Sequence, residues 1–312
     1  MDTKFAFFGG KIVPIAEARI SVMTHALHYG TAVFGGLRAY WNADDAQLYL
    51  FRPVDHFNRL QQSAKMMFME LPYRAEAFTA IITDLLRHEN FRQDMYIRPL
   101  IYKSYEGIGV KLNDLPFEFT IFALPMQEYL NNAGAVRACF SSWRRVDDNM
   151  IPARGKIAGA YANSAFAKSE ALMNGFDEAI VLNEDGHISE GSAANFGIVR
   201  DGKVITPPKY ANVLEGITLR TCVTLLTEVM HIEVVERDID RTEVYNADEA
   251  FFCGTGVQVA PIISVDHRAI GVGQPGPVVS ELRQLYQDAV RNKLPQYRHW
   301  THPIYADERL KA

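Results

Sequence analysis

The apolar positions of this chain switch between two periods. From Pro53 to Met69, the residues Phe57, Leu60, Ala64, Met67 and Phe68 recur near i, i+3, i+4, which predicts a helix with Pro53 at its first position. The same spacing predicts helices over 75–89, about 158–173, the later part of 213–230 and about 277–291. Shorter alternating or continuous apolar blocks predict strands. KFAFFGGKIVP reads as a hairpin turning at Gly9-Gly10. Further strands are expected at MYIRPLIY (95–102), FEFTIFALP (117–125), ACFSSW (138–143), DEAIVLN, HISEGSAANFGIV and IEVVERDI. EAFFCGTGVQVAPI (249–262) reads as two strands interrupted at Gly254-Thr255-Gly256. THALHYGTAVFGGLRAY (24–40) has no clean period; Gly30, Gly35 and Gly36 permit close backbone approach or positive φ, and a kinked strand pair is the plain alternative there. MQEYLNNAG (126–134) ends in turn residues and is the expected linker. The pattern is that of an α/β chain with a new β-rich part after the linker.

Composition removes several classes. The 312 residues, 48% hydrophobic and 22% charged, are ordinary for one large or two smaller globular domains. A formal net charge of −5 with a pI near 6.0 leaves no basic footprint for nucleic acid or an anionic membrane. The sequence has no long uninterrupted apolar run and no basic-then-apolar start, so neither a membrane span nor a signal peptide is expected, and the cytoplasm is the expected compartment. Cys139, Cys222 and Cys253 are far apart and have no metal-ligand spacing; buried free thiols are expected, and no metal.

The candidate chemistry begins at Lys156, in IPARGKIAGAYANS (151–164). Small neighbours leave room for a bulky partner, and burial favours the neutral, nucleophilic amine. The plain alternative is a solvated loop lysine. Gly216-Ile217-Thr218 stands at a helix start, where unpaired N–H groups and the dipole can bind phosphate, although most such starts bind nothing. Thr255, between two glycines, offers a hydroxyl and nearby N–H groups. Arg59 lies beside an apolar helix stripe and offers a fork for phosphate, or else lays its stem over apolar surface. Glu190 is an acid between Ser189 and Gly191, and Tyr96 and Arg98 share one strand face. A lysine that can form an imine, an anion cradle and an acid together suit pyridoxal phosphate, which needs a Schiff-base lysine and a partner for its ring nitrogen.

HALHYGTAVFGGLRAY, DHFNRL, YIRPLI, IPARGKIAGAYANS, GHISEGSAANFGIV, LEGITLRT and FFCGTGVQVAP follow one another in that order. With them the chain resembles the fold-type-IV aminotransferases and, within these, the branched-chain amino acid aminotransferases. The resemblance implies a two-domain α/β subunit with a small α/β domain over 1–125 and a larger pseudo-barrel domain over 135–312. It implies a homodimer or higher homo-oligomer whose sites are completed across the interface. The implied reaction takes amino groups from Leu, Ile and Val to 2-oxoglutarate, giving branched-chain 2-oxo acids and L-glutamate, with pyridoxal 5'-phosphate as cofactor. By the same resemblance Lys156 is the catalytic, cofactor-bearing lysine, Glu190 faces the pyridine nitrogen and Tyr161 bonds the 3-oxygen. Arg59, Ile217, Thr218 and Thr255 form the phosphate cup, and Leu214 packs on the ring. Tyr96 and Arg98 resemble the carboxylate-holding pair, and Gly256 and Val257, after Thr255, the α-carboxylate turn. Phe34, Gly36, Tyr129 and Tyr29 resemble pocket walls, with Tyr29 and Val110 given by a second subunit. Core packing is the alternative for Phe34 and Tyr129.

Some positions depart from that family pattern: Gly35 where Glu is usual, Gly256 where Ala is common, Met126 in place of an aromatic, and Leu219 before Arg220. All lie near the substrate side or the phosphate helix. Three rivals follow: a D-amino acid or (R)-amine transaminase, an aminodeoxychorismate lyase using the same lysine for elimination, and a non-enzymatic sensor on this fold.

Overall fold

In the computed structural model, which describes residues 3–126 and 135–305, the predicted alternation becomes two sheets in two compact units. The first unit comprises residues 1–127, 155–159 and 288–312; the second comprises 128–154 and 160–287.

The first unit carries an eight-stranded antiparallel sheet. β1 (Phe5–Phe8) and β2 (Lys11–Pro14) form the expected hairpin, with Gly9 and Gly10 at φ 57° and 81°. Both turn positions are left-handed, as a two-residue loop of this kind requires. β3 (Ala32–Phe34), β4 (Leu37–Asn42), β5 (Gln47–Phe51), β6 (Met95–Lys103) and β7 (Phe117–Pro125) follow. β6 is central. It pairs along its length with β7, and its other edge pairs first with β4 and then with β3. The interruption at Gly35-Gly36 falls opposite Arg98 and Pro99. A Cβ at residue 35 would lie 2.7 Å from Pro99 Cγ, and one at residue 36 would lie 2.3 Å from Tyr96 Oη. Two glycines let the strand pass a proline ring and a tyrosine.

The 24–40 stretch departs from a kinked strand pair at its start. It opens with a five-residue helix, α1 (His25–Tyr29), closed by Gly30 at φ 63°. α2 (Pro53–Met66) and α3 (Ala75–Glu89) bury Phe57, Leu60 and Ala64 on one and Phe78, Ile82 and Leu86 on the other, with the Phe57 and Phe78 rings 5.4 Å apart. α2 ends earlier than its apolar stripe suggests, because Met67 N and Met69 N both bond Ala64 O and Phe68 turns left-handed. After a short 3-10 turn, Thr301–Pro303 pairs antiparallel with β5.

The second unit is a nine-stranded mixed sheet that curls as a half-barrel. Its strands are β8 (Val136–Arg144), β9 (Glu178–Leu182), β10 (Ile188–Gly191), β11 (Asn195–Arg200), β12 (Lys203–Thr206), β13 (Val234–Glu236), β14 (Glu249–Gly254), β15 (Gln258–Val265) and β16 (Arg268–Ala269). β8 and β9 run parallel across a helical crossover, α4 (Tyr161–Met173). α4 packs through small residues, Ala167 and Ala171, onto Cys139, Ala179 and Val181. The helix expected within 213–230 starts at Ile217 as α5 (Ile217–Thr224) and loosens into a π turn over Leu225–Val229. α6 (Arg241–Tyr245) and α7 (Pro277–Val290) complete the helices described. The inner face of the sheet is apolar, with Phe140, Ile180, Phe196, Ile198, Phe252 and Ile262 in one cluster. All three cysteines are buried and free. No helix among the described residues is long and apolar enough to cross a membrane.

Candidate functional site

Lys156 is gripped through its backbone. Its carbonyl accepts Phe34 N at 3.1 Å, its N–H donates to Ser63 Oγ at 3.0 Å, and Ile157 bridges Val33. Ser63, fully buried on α2, donates in turn to the carbonyl of Arg59 at 2.9 Å. One short chain of bonds therefore ties the lysine to the turn of α2 that carries Arg59. The small residues flanking Lys156 have a steric purpose. Gly159 N bonds Gly30 O at 3.1 Å, and a Cβ at residue 30 would lie 2.7 Å from Gly159 Cα. A side chain at residue 30 would push the lysine segment away.

The side chains of this unit converge on one ring. Lys156 Nζ lies 5.1 Å from the Phe34 centroid, and the Arg98 guanidinium carbon lies 4.5 Å from it. Arg98 Nη2 donates to Tyr96 Oη at 2.9 Å, while its buried Nε has no partner among the described residues. The pair expected on one strand face is thus joined side by side, over the space that Gly36 keeps clear. The segments that carry Tyr29 and Val110 also meet. Gly109 N donates to Tyr29 Oη at 3.2 Å and His25 Nε2 donates to Gly109 O at 2.7 Å, which leaves Val110 80% exposed beside them. Met126 is held by its backbone: its N–H bonds Asp94 O, and its carbonyl accepts from the buried Arg38 guanidinium. Tyr129 lies outside the described residues.

In the second unit Glu190 is the centre. The β9–β10 register shifts by one residue between Ile188 and Glu190. Such a bulge re-aims the side chain that follows it. The carboxylate is 4% exposed and fully engaged on two sides. Oε1 pairs with Arg145 Nη2 at 2.6 Å. Oε2 accepts Asn195 Nδ2 at 3.0 Å and Leu214 N at 3.2 Å. Asn195 Nδ2 also donates to Leu214 O at 2.8 Å, so Leu214 is held by both its N–H and its carbonyl.

Asn195 gathers the remaining pieces. A Cβ on Gly216 would lie 1.9 Å from Asn195 Oδ1, so only glycine fits where the chain enters α5. Gly216 offers no side-chain cap, and the first N–H groups of α5, including those of the buried Ile217 and Thr218, have no partner within the helix. Asn195 also faces Cys253 across the β11–β14 pairing, next to the half-buried turn of Thr255, Gly256 and Val257, which Gly254 and Gln258 close. The neighbouring Cys222 thiol of α5 and burial push the Cys253 thiol well up from its usual range. Tyr161 is half-buried as the first residue of α4.

Residues 32–265 match the family Amino-transferase class IV. The chain belongs to the class IV aminotransferases. This class IV aminotransferase is 48% identical to a probable branched-chain-amino-acid aminotransferase of Aquifex aeolicus, over 96% of its own length and 97% of the relative's. Among solved structures, the branched-chain aminotransferase of Thermoproteus uzoniensis with norvaline superposes with a TM-score of 0.93 at 39% identity, covering 97% of this chain and all of that one. The enzyme of Thermobaculum terrenum in its PLP form gives 0.93 at 37% identity, covering 97% and 99%. The fold-type-IV architecture expected from the sequence is therefore that of this aminotransferase. Its sequence did not mark Ser63, Arg145 or Asn195. Nothing periodic separates Arg145 from its neighbour Arg144. Asn195 opens a strand like many others, and Ser63 sits on a helix face read as apolar.

Proposed function

We propose that this class IV aminotransferase transfers amino groups between the branched-chain L-amino acids Leu, Ile and Val and 2-oxoglutarate, using pyridoxal 5'-phosphate. One observation carries the reading: the Phe34 ring has Lys156 Nζ and the Arg98–Tyr96 pair as neighbours. A nucleophilic amine, an apolar wall and a carboxylate receptor are what one pocket needs to take both leucine and glutamate. A carboxylate in an apolar pocket without such a receptor would carry a large desolvation cost.

The donor set fits the cofactor. The uncapped start of α5, with Thr255 and Arg59, supplies N–H groups, a hydroxyl and a guanidinium suited to a phosphate. Glu190, already anchored by Arg145 and Asn195, supplies an anion for a ring nitrogen. Tyr161 serves the 3-oxygen, and Leu214, fixed at both backbone atoms, packs on the ring face. When bound, the cofactor supplies the electron sink that makes the α-proton of an amino acid removable. Lys156 anchors the cofactor and then moves that proton. Gly256 and Val257 offer backbone to the α-carboxylate.

The assembly is a homodimer. Val22, Met23, Leu27, Ile108 and Val110 are all more than half exposed and lie on two segments tied together at His25, Tyr29 and Gly109. A second copy covers this apolar face and receives Tyr29 and Val110 at its own site. Light scattering should give twice the chain mass, and Val110→Asp should shift it to monomer; a wild-type monomer with full activity would remove this part of the proposal. The compartment is the cytoplasm.

A donor panel with 2-oxoglutarate tests the reaction. L-Leu, L-Ile and L-Val should be the best donors, with D-Ala and (R)-1-phenylethylamine near background. A D-donor preference, or pyruvate release from aminodeoxychorismate without an amino acceptor, would replace the proposal by one of its rivals.

A further inference from the structure

Arg145 has no role in the chemistry outlined above, yet its Nη2 pairs with Glu190 Oε1 at 2.6 Å. Both groups are largely withdrawn from water, with 12% and 5% of their side chains exposed. Arg145 is itself held. Its Nε donates to Asn212 O at 3.1 Å and its backbone N–H to Leu182 O at 2.8 Å. Asn212 stands in the left-handed region at φ 55°. Its amide donates to Asn183 Oδ1 and Asp147 Oδ2, and its own Oδ1 accepts Asp148 N. The guanidinium is therefore aimed by a fixed frame rather than being free to swing toward solvent.

From this frame we infer that Arg145 is a positioning residue that lowers the proton affinity of Glu190, so that the proton shared between Glu190 and the cofactor's ring nitrogen stays on the nitrogen. The inference rests on the proposed pairing of Glu190 with that nitrogen. The physics is direct. A buried carboxylate with only neutral donors is a stronger base than one beside a guanidinium, because the adjacent positive charge stabilises its ionised form. Asn195 Nδ2 and Leu214 N are neutral donors; Arg145 is the charged one. Without it, the proton moves toward the carboxyl and the ring becomes a weaker electron acceptor.

The test reads the nitrogen and not turnover. The full-length enzyme is loaded with cofactor labelled with 15N in the ring, and the 15N chemical shift is recorded for the wild type and four variants. The wild type should show a pyridinium signal. Arg145→Gln should move it by most of the distance to neutral pyridine, and Arg145→Lys should restore the pyridinium. Glu190→Gln should give the neutral signal whatever stands at 145. The double variant Arg145→Gln/Glu190→Gln leaves no unpaired buried charge and guards against loss of the fold. A pyridinium signal that persists in Arg145→Gln, with only cofactor retention or Tm reduced, would mean a purely structural arginine and overturn the inference. A pyridinium signal that persists in Glu190→Gln would instead overturn the pairing of Glu190 with the ring, and the inference with it. The two failures are thus distinguishable.

Discussion

Gly36 stands where a single methyl group would reach Tyr96 Oη, at 2.3 Å. Gly36→Ala must therefore displace the hydroxyl that Arg98 bonds, and it should act as a mild form of Arg98→Met. Charge-assisted hydrogen bonds contribute about 1.5–3 kcal/mol each, roughly ten- to a hundredfold in kcat/KM. Both variants should lose that factor for glutamate and 2-oxoglutarate and much less for leucine, when the two half-reactions are followed separately by cofactor absorbance. Equal losses would assign Arg98 to the α-carboxylate instead. Lys156→Ala should retain cofactor through the phosphate-binding groups while losing the absorbance of the lysine-bound form and essentially all turnover; survival of that absorbance would move the anchor elsewhere. The setting of Lys156 was legible because its neighbours are small, and the close approach of Gly30 to Gly159 shows how near another strand of backbone passes to that segment. Arg145, Asn195 and Ser63 were not legible. Arg145 and Ser63 are ordinary polar residues whose partners lie far along the chain and are met only through packing, and Asn195 meets Glu190 across a strand connection that hydrophobic spacing does not record.

At the scale of elements, periodicity served long segments and failed short ones. α3 and β7 occupy the expected spans because fifteen and nine residues are enough to display a period. α1 has five residues and no period to show; its end is set by the left-handed Gly30. The β10 bulge and the π turn after α5 are one-residue adjustments that hydrophobic spacing does not record. α7 has a cap from outside its own segment. Glu249, on β14, accepts Val278 N at 2.9 Å and Val279 N at 2.8 Å. An acid at a helix N-terminus satisfies unpaired donors and opposes the dipole. Glu249→Ala should cost about 0.5–2 kcal/mol, read as a lower urea midpoint with an unchanged slope. An unchanged midpoint would show that the cap is replaced by water without loss.

For the molecule as a whole, one histidine gives acid sensitivity a sign. Burial, and secondarily the charge of Arg87, hold His302 below the usual imidazole range. The unfolded chain therefore binds this proton more readily than the folded one. Its contribution to stability is complete above the unfolded value of about 6.5 and is lost as pH falls through the lower folded value. Tm should drop between pH 7.5 and 5, and His302→Gln should flatten that part of the profile; a parallel fall in the variant would place the titration in another group. The α/β class was legible from the sequence as a whole. The return of residues 288–312 to the first unit was not, because the aromatic tail has no period and its pairing with β5 joins positions about 250 apart.

That late strand has a consequence for how the protein is made. The edge of β5 is completed by Thr301–Pro303, about 250 positions later in the sequence. On the ribosome, the strands Phe5–Phe8 to Phe117–Pro125 can pair early, but β5 keeps an open row of N–H and C=O groups until Thr301–Pro303 emerge. Open edges are templates for pairing with other chains. A nascent chain stalled or cleaved before residue 301 would expose that edge permanently, so termination just before residue 301, though it spares every residue assigned to the chemistry, should yield aggregates rather than a shortened working enzyme.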